Sequence, residues 1–510
     1  MARRLRNLIL ANPPQESGYA YMTGMIPPLN LLSLATTLKY NLTDMELNIL
    51  DGEFLTQEEM TARVLSSTAD ALGIGIHFFN VKNSIDFLKK AKNKGMTIIV
   101  GGYHVNGHAL ELMRQVPEID FAVVGEGENA LLKLVKGEDL NSIPNLIYRE
   151  SSSIEVNCIK DPVTGEPLLD EHGKLMPAEV LNLDAVPPPD YSLIENLDFY
   201  INNFEKAYPG LKVPMPIYTH KGCVWREKTG GCIFCDCPDK NYRTKSPKVV
   251  WKEINDLNAK YGAMFIRDVG DDITADTNWL RELLKHRPSH LSNIGFFAYS
   301  RVGKLAKDME VLSLLADLNV KGLFVGFESG SSKSLRTLNK GVTAGQNYKC
   351  LYNISKTDIN VFTSFVLGAP EEIEEDLAQT VALAFDIHEM LGTKLKMMNF
   401  GILLPYPGTE AFGRLSLIYP EMAREIIFDP ESIQKKWVEN FCKYSSPDIY
   451  KRIRSLCKVI NNFGEVKFSF FDYDRDEAVE DKAWVEEIIE KSSKYRKTVT
   501  IEQRQRYGKL

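Results

Sequence analysis

A chain of 510 residues with 44% hydrophobic and 25% charged residues has the composition of an ordinary globular protein of two or three domains. Its net charge of -7 disfavours a nucleic-acid-binding surface, which would need clustered lysine and arginine. No apolar run approaches the roughly eighteen residues of a membrane span, and the first apolar run is too short before its prolines to be a signal peptide, so we expect a cytoplasmic location.

Residues 6–137 alternate short β-rich apolar runs with segments whose apolar residues recur at helical spacing. The runs with strand character are RNLILANPP, ELNILDG, ALGIGIHF, MTIIVGG and FAVVGEG. Five strands linked by helices predict a doubly wound parallel sheet, which is a Rossmann- or flavodoxin-like α/β domain over residues 1–137. Ligands of such sheets bind beyond the carboxyl ends of the strands.

The predicted carboxyl edge of this sheet carries polar residues and glycines. They are Asn12, Pro13, Asp51, His77, Gly101, Gly102, Tyr103, His104, Gly125, Glu126 and Gly127. Glycines let a bulky or phosphate-bearing ligand approach the backbone, but they are also typical of tight strand-to-helix turns. A histidine at a strand end is more often a hydrogen-bonded turn residue than a metal ligand.

Residues 138–215 lose this alternation and are rich in proline, glycine and charge. This pattern predicts a linker with a small hairpin over residues 163–176. A second domain is then expected over residues 216–410.

A loop near the start of this second domain holds four of the eight cysteines, Cys223, Cys232, Cys235 and Cys237. Disulfides are disfavoured because the chain shows no secretory signal. A structural zinc site normally uses two separated pairs of ligands, whereas these four cysteines crowd into one loop. An iron-sulfur cluster held by three thiolates leaves one iron open to a ligand. We therefore favour a cluster over zinc.

Strand and helix patterns alternate again after this loop. PIYTHKG, AMFIRDVGDD, NIGFFAYSR, VKGLFVGFESG, INVFTSFVLGAP and KLKMMNFGILLP predict six parallel strands, which is a partial (β/α)6 barrel with its active face at the carboxyl ends of the strands. Those ends bring Asp271, Asp272, Ser300, Arg301 and Glu328 together.

Each charged residue at this face has a functional and a structural interpretation. The two aspartates could bind an amine or ribose hydroxyls, or they could cap a helix. Arg301 could pair with a carboxylate of a ligand, or it could form a salt bridge between domains. Glu328, after an apolar strand, favours a polar ligand. Together these residues suit a zwitterionic, ribose-bearing cofactor.

Residues 411–510 predict a mostly helical region, either a cap over the barrel or a lid that recognises substrate. Within it EVKFSFFDYDRD carries four aromatic residues, and the last residues, TIEQRQRYGKL, predict a solvated tail or a loosely docked helix.

Taken in order, GGYH, VVGEGE, GCIFC, GFESGS, LNKG, FVLGAPEE and PYPGT resemble the motifs of cobalamin-binding radical S-adenosylmethionine (SAM) proteins. The resemblance covers residues 6–410 and implies a 4Fe-4S cluster on Cys223, Cys232 and Cys235, with SAM on the open iron. It implies SAM contacts from Phe234, Asp271, Asp272, Ser300, Arg301 and Glu328. It also implies that the corrin lies at the edge of the first sheet, with Asp51, Tyr103, His104 and Glu126 nearest to its amides or cobalt.

The sequence departs from this family in two places. The cluster motif usually has three residues between its first two cysteines, whereas this chain has VWREKTGG, so Cys237 is a spare candidate ligand. Trp225 and Arg226 in this insertion could also contact the substrate. The first domain lacks the D-x-H-x-x-G pattern that supplies a lower histidine to cobalt, so cobalt is expected to bind water or to stay open below.

The resemblance implies that a 5'-deoxyadenosyl radical abstracts hydrogen from an unactivated carbon, which then receives a methyl group from cobalamin. A radical SAM cyclase or rearrangement enzyme with the same cofactors is the alternative. A non-enzymatic corrinoid or zinc-binding protein is the alternative of another class. Expected partners are a small-molecule, peptide or lipid substrate and an electron donor such as flavodoxin or ferredoxin.

Overall fold

The computed structural model describes residues 4–15, 24–151, 153–170, 172–237, 239, 241–445, 448–461 and 481–497. The chain divides into two compact units. The first takes its residues from Met1–Tyr208, Asp236–Asp239 and Tyr406–Asp429, and the second from Pro209–Cys235, Lys240–Pro405 and Pro430–Leu510.

The first unit is built on one sheet, whose described strands number seven in the order β2-β1-β3-β4-β5-β6-β7. They are β1 (Asn7–Asn12), β2 (Glu46–Asp51), β3 (Ala71–Gly75), β4 (Thr97–Gly101), β5 (Phe121–Val123), β6 (Leu146–Glu150) and β7 (Ser153–Val156). β1 to β5 are parallel, and β6 and β7 join them antiparallel. The predicted doubly wound parallel sheet is therefore confirmed.

Helices cover both faces of this sheet. They are α1 (Leu29–Asn41), α2 (Gln57–Ser66), α3 (Val81–Asn93), α4 (Tyr103–Gln115) and α5 (Glu128–Lys136), and a further helix of the unit is α6 (Leu197–Ala207). Successive strand residues point to opposite faces, so Ile9 packs in the core under α2, α3 and α4, whereas Leu8 packs in the core with α1 and α5.

The segment predicted to be a linker differs from the structure in one respect. β6 and β7 lie within residues 138–215 and extend the sheet beyond β5. Both strands are short, and Glu150 and Ser153 at their junction are polar and exposed, so neither strand gives a long apolar run in the sequence.

The first unit also contains a segment from far along the chain, Tyr406–Asp429, with helix α15 (Glu410–Ile418). A Cβ on Gly107 of α4 would lie 2.4 Å from the carbonyl oxygen of Pro407, which shows how closely the two backbones approach. Ile426 belongs to the same core as α2, α3 and α4.

The second unit holds a parallel sheet with six described strands in the order β15-β14-β13-β12-β11-β8. The strands of the unit are β8 (Pro214–Ile217), β9 (His220–Lys221), β10 (Arg243–Thr244), β11 (Phe265–Asp268), β12 (Gly295–Arg301), β13 (Val320–Glu328), β14 (Asn360–Leu367) and β15 (Leu395–Ile402), of which β9 and β10 form a separate ribbon. The sequential order and the parallel pairing confirm the predicted partial (β/α)6 barrel.

The helices of the second unit connect these strands and follow them. They are α7 (Val224–Thr229), α8 (Pro247–Tyr261), α9 (Thr277–Lys285), α10 (Val302–Lys307), α11 (Met309–Asp317), α12 (Ser332–Thr337), α13 (Ala344–Ser355), α14 (Glu374–Leu391), α16 (Pro430–Phe441), α17 (Ile449–Asn461) and α18 (Lys482–Ser492). α17 packs against β15, and α18 packs against α14.

The predicted helical character of residues 411–510 is present in α15 to α18, although α15 belongs to the first unit. EVKFSFFDYDRD and TIEQRQRYGKL lie outside the described residues. Among the residues that are described, no helix is both long enough and apolar enough to cross a bilayer.

Candidate functional site

The cysteine loop of the second unit follows β9. Cys223 caps the amino end of α7, a helix formed by the first six of the eight residues between Cys223 and Cys232. The helix ends at Gly230, which adopts a left-handed conformation with φ of 80°. The chain then reverses into a turn in which the amide of Cys235 donates to the carbonyl of Cys232 at 3.0 Å. Phe234 is half-buried in this turn.

Residues 338–341, the LNKG motif, hold the cysteine loop in place. The amide of Ile233 donates to the carbonyl of Leu338 at 3.1 Å, and the side-chain amide of Asn339 donates to the carbonyl of Gly231 at 2.6 Å. These bonds fix the backbone next to Cys232, so the position of this cysteine depends on a segment more than a hundred residues away.

The two residues of α7 that were considered as substrate contacts both have partners within the protein. The indole nitrogen of Trp225 donates to the carbonyl of Asn339 at 2.7 Å, and a Cβ on Gly341 would lie 2.5 Å from the indole ring. The side chain of Arg226 is buried, and its Nη1 donates to the carbonyl of Cys235 at 3.3 Å. Both residues therefore stabilise the loop from within.

Arg301, at the end of β12, brings two of the predicted cluster ligands together. Its Nη1 lies 3.7 Å from Cys232 Sγ and 4.0 Å from Cys223 Sγ, and its Nη2 donates to the carbonyl of Lys340. Cys223 and Cys232 therefore approach the same guanidinium despite the insertion between them. Burial raises the pKa of the Cys223 thiol, and the Arg301 guanidinium opposes this shift by favouring the thiolate, which is the form that binds metal.

The remaining cysteines differ in their placement. Cys235 shares the turn with Cys232 in the second unit, whereas Cys237 belongs to Asp236–Asp239 of the first unit, and its Sγ donates to the carbonyl of Asp239 at 3.6 Å. No three His, Cys, Asp or Glu side chains of the described residues converge on a point where a single metal ion would sit.

A buried histidine organises the turn after β11. The Nε2 atom of His220 accepts the amide of Asp272 at 2.9 Å, and its Nδ1 lies 3.4 Å from a carboxylate oxygen of Asp268. Since Nε2 is an acceptor, the proton of the neutral ring is on Nδ1. A Cβ on Gly270 would lie 2.4 Å from this ring, so only glycine fits at this position.

The predicted SAM-binding aspartates lie in this turn and are already hydrogen-bonded. Asp271 accepts the amide of Gly222 at 2.8 Å. Asp272 is buried and accepts the hydroxyl of Thr274 at 2.7 Å, and this hydroxyl also lies 2.9 Å from that of Ser300. Burial raises the pKa of Asp272. The structure therefore places Asp271 beside the cysteine loop and ties Asp272 to the end of β12.

Glu328 ends β13 in a buried ion pair that the sequence did not predict. Its Oε1 accepts from Lys340 Nζ at 2.8 Å, and both side chains are 7% exposed. Glu328 has a φ of 62°, which turns its carboxylate back over Gly326, where a Cβ would lie 2.2 Å from Oε1. Left-handed backbone at a non-glycine residue stores strain, which is common at functional sites.

In the first unit, a cavity of about 190 Å³ lies where β1, β2 and β3 end. Its lining residues are Asn12, Pro13, Gln15, Ile26, Pro28, Asp51, Gly52, Glu53 and His77. The strand order reverses at β1, and ligands of doubly wound sheets bind at such a switch point. The structure thus gathers Asn12, Pro13, Asp51 and His77 of the predicted edge at one site and adds Glu53.

The carboxyl groups of this cavity are held by neighbouring donors. The hydroxyl of Tyr200 donates to Asp51 at 2.5 Å, and the amide of Gly24 donates to Glu53 at 2.9 Å. Burial raises the pKa of Asp51 to about 6, although the bond from Tyr200 opposes this shift. Burial also raises the pKa of Glu53.

The predicted residues after β4 have different environments. Gly102 has a φ of 103°, and a Cβ there would lie 2.6 Å from the carbonyl oxygen of Ile76, so this glycine permits a tight approach of two backbones. Tyr103 is 51% exposed, whereas His104 is 2% exposed and packs beside His108 with 5.8 Å between ring centroids. Gly101 precedes this turn.

The predicted residues after β5 bond within the fold. The amide of Gly125 donates to the side-chain oxygen of Asn106 at 2.8 Å, and Glu126 accepts the amide of Leu181 at 2.8 Å. Gly127 precedes α5.

Family comparison assigns each of the two sites to a domain. The family described as B12 binding domain matches residues 19–135, and the Radical SAM superfamily matches residues 217–384. The chain is a B12-binding radical SAM protein. The predicted family and enzyme class are confirmed, and the alternative of a non-enzymatic corrinoid or zinc-binding protein loses its basis.

Two relatives of this B12-binding radical SAM protein represent its two predicted activities. An uncharacterized methyltransferase of Pyrococcus horikoshii is 26% identical over 80% of this chain and 82% of the relative. An anaerobic magnesium-protoporphyrin IX monomethyl ester cyclase of Cereibacter sphaeroides is 23% identical over 80% of this chain and 63% of the relative.

The fold is shared with a solved structure, that of the radical SAM methyltransferase TsrM from Kitasatospora setae with cobalamin and a 4Fe-4S cluster bound. The TM-score is 0.61 at 19% identity, and the match covers 82% of this chain and 76% of TsrM.

Proposed function

We propose that this protein is a cobalamin-dependent radical SAM enzyme that transfers a methyl group to an unactivated carbon. The observation that carries the proposal is the approach of Cys223 and Cys232 to one guanidinium at the carboxyl edge of the barrel, in a chain whose other domain binds B12. Both the Pyrococcus relative and TsrM are described as methyltransferases.

The residues of the second unit fit a cluster with SAM. Cys223, Cys232 and Cys235 would hold three irons, and the adjacent Arg301 charge suits an anionic cluster or the carboxylate of SAM. Asp271 and Asp272 would face the amine of SAM, Phe234 the adenine, and Glu328 the ribose.

The first unit fits part of a corrinoid. Cobalamin carries amide side chains, whose N–H groups would find acceptors in Asn12, Asp51 and Glu53 at the cavity. The volume of about 190 Å³ exceeds the roughly 150 Å³ that holds a benzene ring, so the cavity admits one ring or arm of the ligand rather than the whole macrocycle.

When bound, the reduced cluster supplies one electron to SAM and cobalamin carries the methyl group. The protein contributes position and charge. Arg301 lies 3.7 Å from one thiol and keeps negative charge favourable there. Glu328 is fixed by Lys340 and by its own backbone conformation, so it would meet a ligand without losing side-chain freedom. The turn built on His220 keeps Asp271 beside the cysteine loop.

Anaerobic reconstitution tests this proposal. Wild-type protein should bind four irons and four sulfides, and it should release 5'-deoxyadenosine from SAM when reduced. Cys223→Ala should lose both properties, whereas Cys237→Ala, the matched control, should keep the cluster. Bound zinc without SAM cleavage would contradict the proposal, and loss of the cluster only in Cys237→Ala would reassign the ligand.

The similarity to a cyclase supports a second candidate activity, namely ring closure with the same cofactors. Product mass separates the two, because methyl transfer adds a labelled methyl group from SAM and cyclisation adds no carbon. We further propose a small-molecule substrate, a flavodoxin- or ferredoxin-like electron donor and a cytoplasmic location, where thiols stay reduced.

A further inference from the structure

The segment that supports the cysteine loop lies in a basic part of an acidic chain. The whole chain has a net charge of -7, yet residues 329–349 contain no aspartate or glutamate, and neither do residues 302–307. The basic residues of these two segments are Lys304, Lys307, Lys333, Arg336, Lys340 and Lys349. Positive charge is therefore concentrated in the part of the barrel that supports the predicted cluster ligands.

Three cations in this region have their charges available to a partner. Lys228 of α7, Lys304 of α10 and Arg336 of α12 are exposed, and none of their side chains forms an ion pair with another described residue. By contrast, Lys333 pairs with Asp376 at 3.0 Å. Since a surface cation without a carboxylate beside it is not neutralised, these three side chains give the surface a positive potential.

Asn339 places two of the three cations next to each other. The amide of Asn339 donates to the carbonyl of Arg336 at 3.0 Å. The side-chain amide of Asn339 donates to the carbonyl of Thr229, the residue after Lys228, at 3.5 Å. The backbones that carry Lys228 and Arg336 therefore meet at one residue.

Lys304 lies near the same segment. Its neighbour Gly303 comes close enough to Val342 that a Cβ on this glycine would lie 3.8 Å from the valine side chain. Val342 is only three residues from Asn339, so all three cations surround residues 339–342. We refer to Lys228, Lys304 and Arg336 together as the basic patch.

The basic patch adjoins a point where Trp225 lies directly under exposed backbone. Gly341 is exposed, and a Cβ on it would lie 2.5 Å from the Trp225 ring. Lys228 follows Trp225 by three residues on α7 and so lies on the same side of this helix. The Arg301 guanidinium lies 5.5 Å from the centre of the indole ring and 3.7 Å from Cys232 Sγ. The ring and the guanidinium thus connect the surface at Gly341 with a predicted cluster ligand.

We propose that the basic patch is the docking surface for an acidic, flavodoxin-like one-electron donor. The inference rests on the proposed function, because it requires a cluster on the cysteine loop. The anionic flavin hydroquinone loses one electron and becomes the neutral semiquinone, the cluster gains that electron, and no proton moves. Opposite charges steer two proteins together, and electron transfer slows steeply with distance, so a positive surface beside the cluster is where such a donor transfers its electron.

The rate of SAM cleavage by the reconstituted full chain tests this assignment with two reductants. One is flavodoxin in its hydroquinone form, and the other is reduced methyl viologen, a small cation that needs no docking surface. At low salt and limiting flavodoxin, the double variant Lys228→Glu/Arg336→Glu should lower the flavodoxin-supported rate by about tenfold or more and leave the viologen-supported rate unchanged. Added salt should slow wild type with flavodoxin and narrow this difference.

A matched control reverses two exposed cations at the opposite end of the barrel strands. Lys321 and Lys396 lie at the amino ends of β13 and β15, and both are exposed. The double variant Lys321→Glu/Lys396→Glu changes the net charge by the same amount as the patch variant. It should keep both rates, because it leaves the basic patch intact.

The outcomes separate the inference from the proposed function. An unchanged flavodoxin-supported rate in the patch variant, an equal loss in the control, or a wild-type rate that does not respond to salt would overturn the inference and leave the proposed function intact. Wild type that cleaves SAM with viologen but not with flavodoxin would do the same, whereas cleavage with neither reductant would overturn both. Should the patch variant fail to fold, Lys304→Glu and the salt dependence of wild type decide the question.

Discussion

Replacing Lys340 by methionine tests the most unexpected part of the candidate site. The variant leaves the Glu328 carboxylate without its partner at a position where each side chain is 7% exposed. Removing one member of a buried ion pair typically costs about 3–5 kcal/mol, because the other charge stays buried without compensation. Glu328 cannot easily turn toward solvent, since its left-handed backbone aims it back over Gly326.

We therefore expect Lys340→Met to lose about 3 kcal/mol or more of the free energy of unfolding. Adding Glu328→Gln should recover most of this loss, because the uncompensated charge is gone. Urea unfolding followed by circular dichroism measures each variant, and the double-mutant cycle gives the coupling. Lys252→Met, which breaks the exposed pair with Asp256 at 2.7 Å, is the matched control and should change little. Equal effects of Lys340→Met and Lys252→Met would refute the reasoning.

Three further predictions concern other described positions. Between about pH 4 and about pH 6, the free energy of unfolding of the wild type should fall by up to about 3 kcal/mol, because the raised pKa of Asp51 makes its ionisation unfavourable in the folded protein. Asp51→Asn lacks this carboxyl and should therefore gain stability relative to the wild type over the same pH range. Urea unfolding curves of the two proteins that shift in parallel with pH would contradict this. Gly341→Ala should lose about 2–4 kcal/mol of the free energy of unfolding and should incorporate less iron, since the φ of 77° at Gly341 and the Trp225 ring leave no room for a Cβ. Unchanged iron content would argue that residues 338–341 do not support the cysteine loop. Gly270→Ala should weaken SAM binding in equilibrium dialysis by displacing the His220 ring, and wild-type affinity would count against that role.

Periodicity was sufficient to predict the five parallel strands of the first sheet and the six parallel strands of the second. The apolar runs around Ile9 and Ile74 in the first unit, and Val325 and Phe400 in the second, are buried on both sides, as parallel strands between helices must be. β6 and β7 were missed because both strands are very short, and their place at the sheet edge depends on pairing rather than on composition.

The contacts at the site that the sequence does not predict depend on the tertiary structure. LNKG was noted only as a motif, and nothing in its pattern identifies Glu328 as the partner of Lys340 or Trp225 as the ring on Gly341. His77 was visible at a strand end, but its cavity exists only because three separate strand ends meet there. The predicted SAM and cobalamin contacts remain predictions, since they concern molecules bound by these residues.

The return of Tyr406–Asp429 to the first unit has a consequence for biosynthesis. The ribosome releases the seven strands of this unit first, yet Ile426, part of its core, emerges only after the whole barrel has been translated. The amino-terminal domain therefore lacks part of its hydrophobic core until the residues that follow the barrel have been synthesised. An amino-terminal fragment that stops at residue 208 therefore lacks a piece of its own interior.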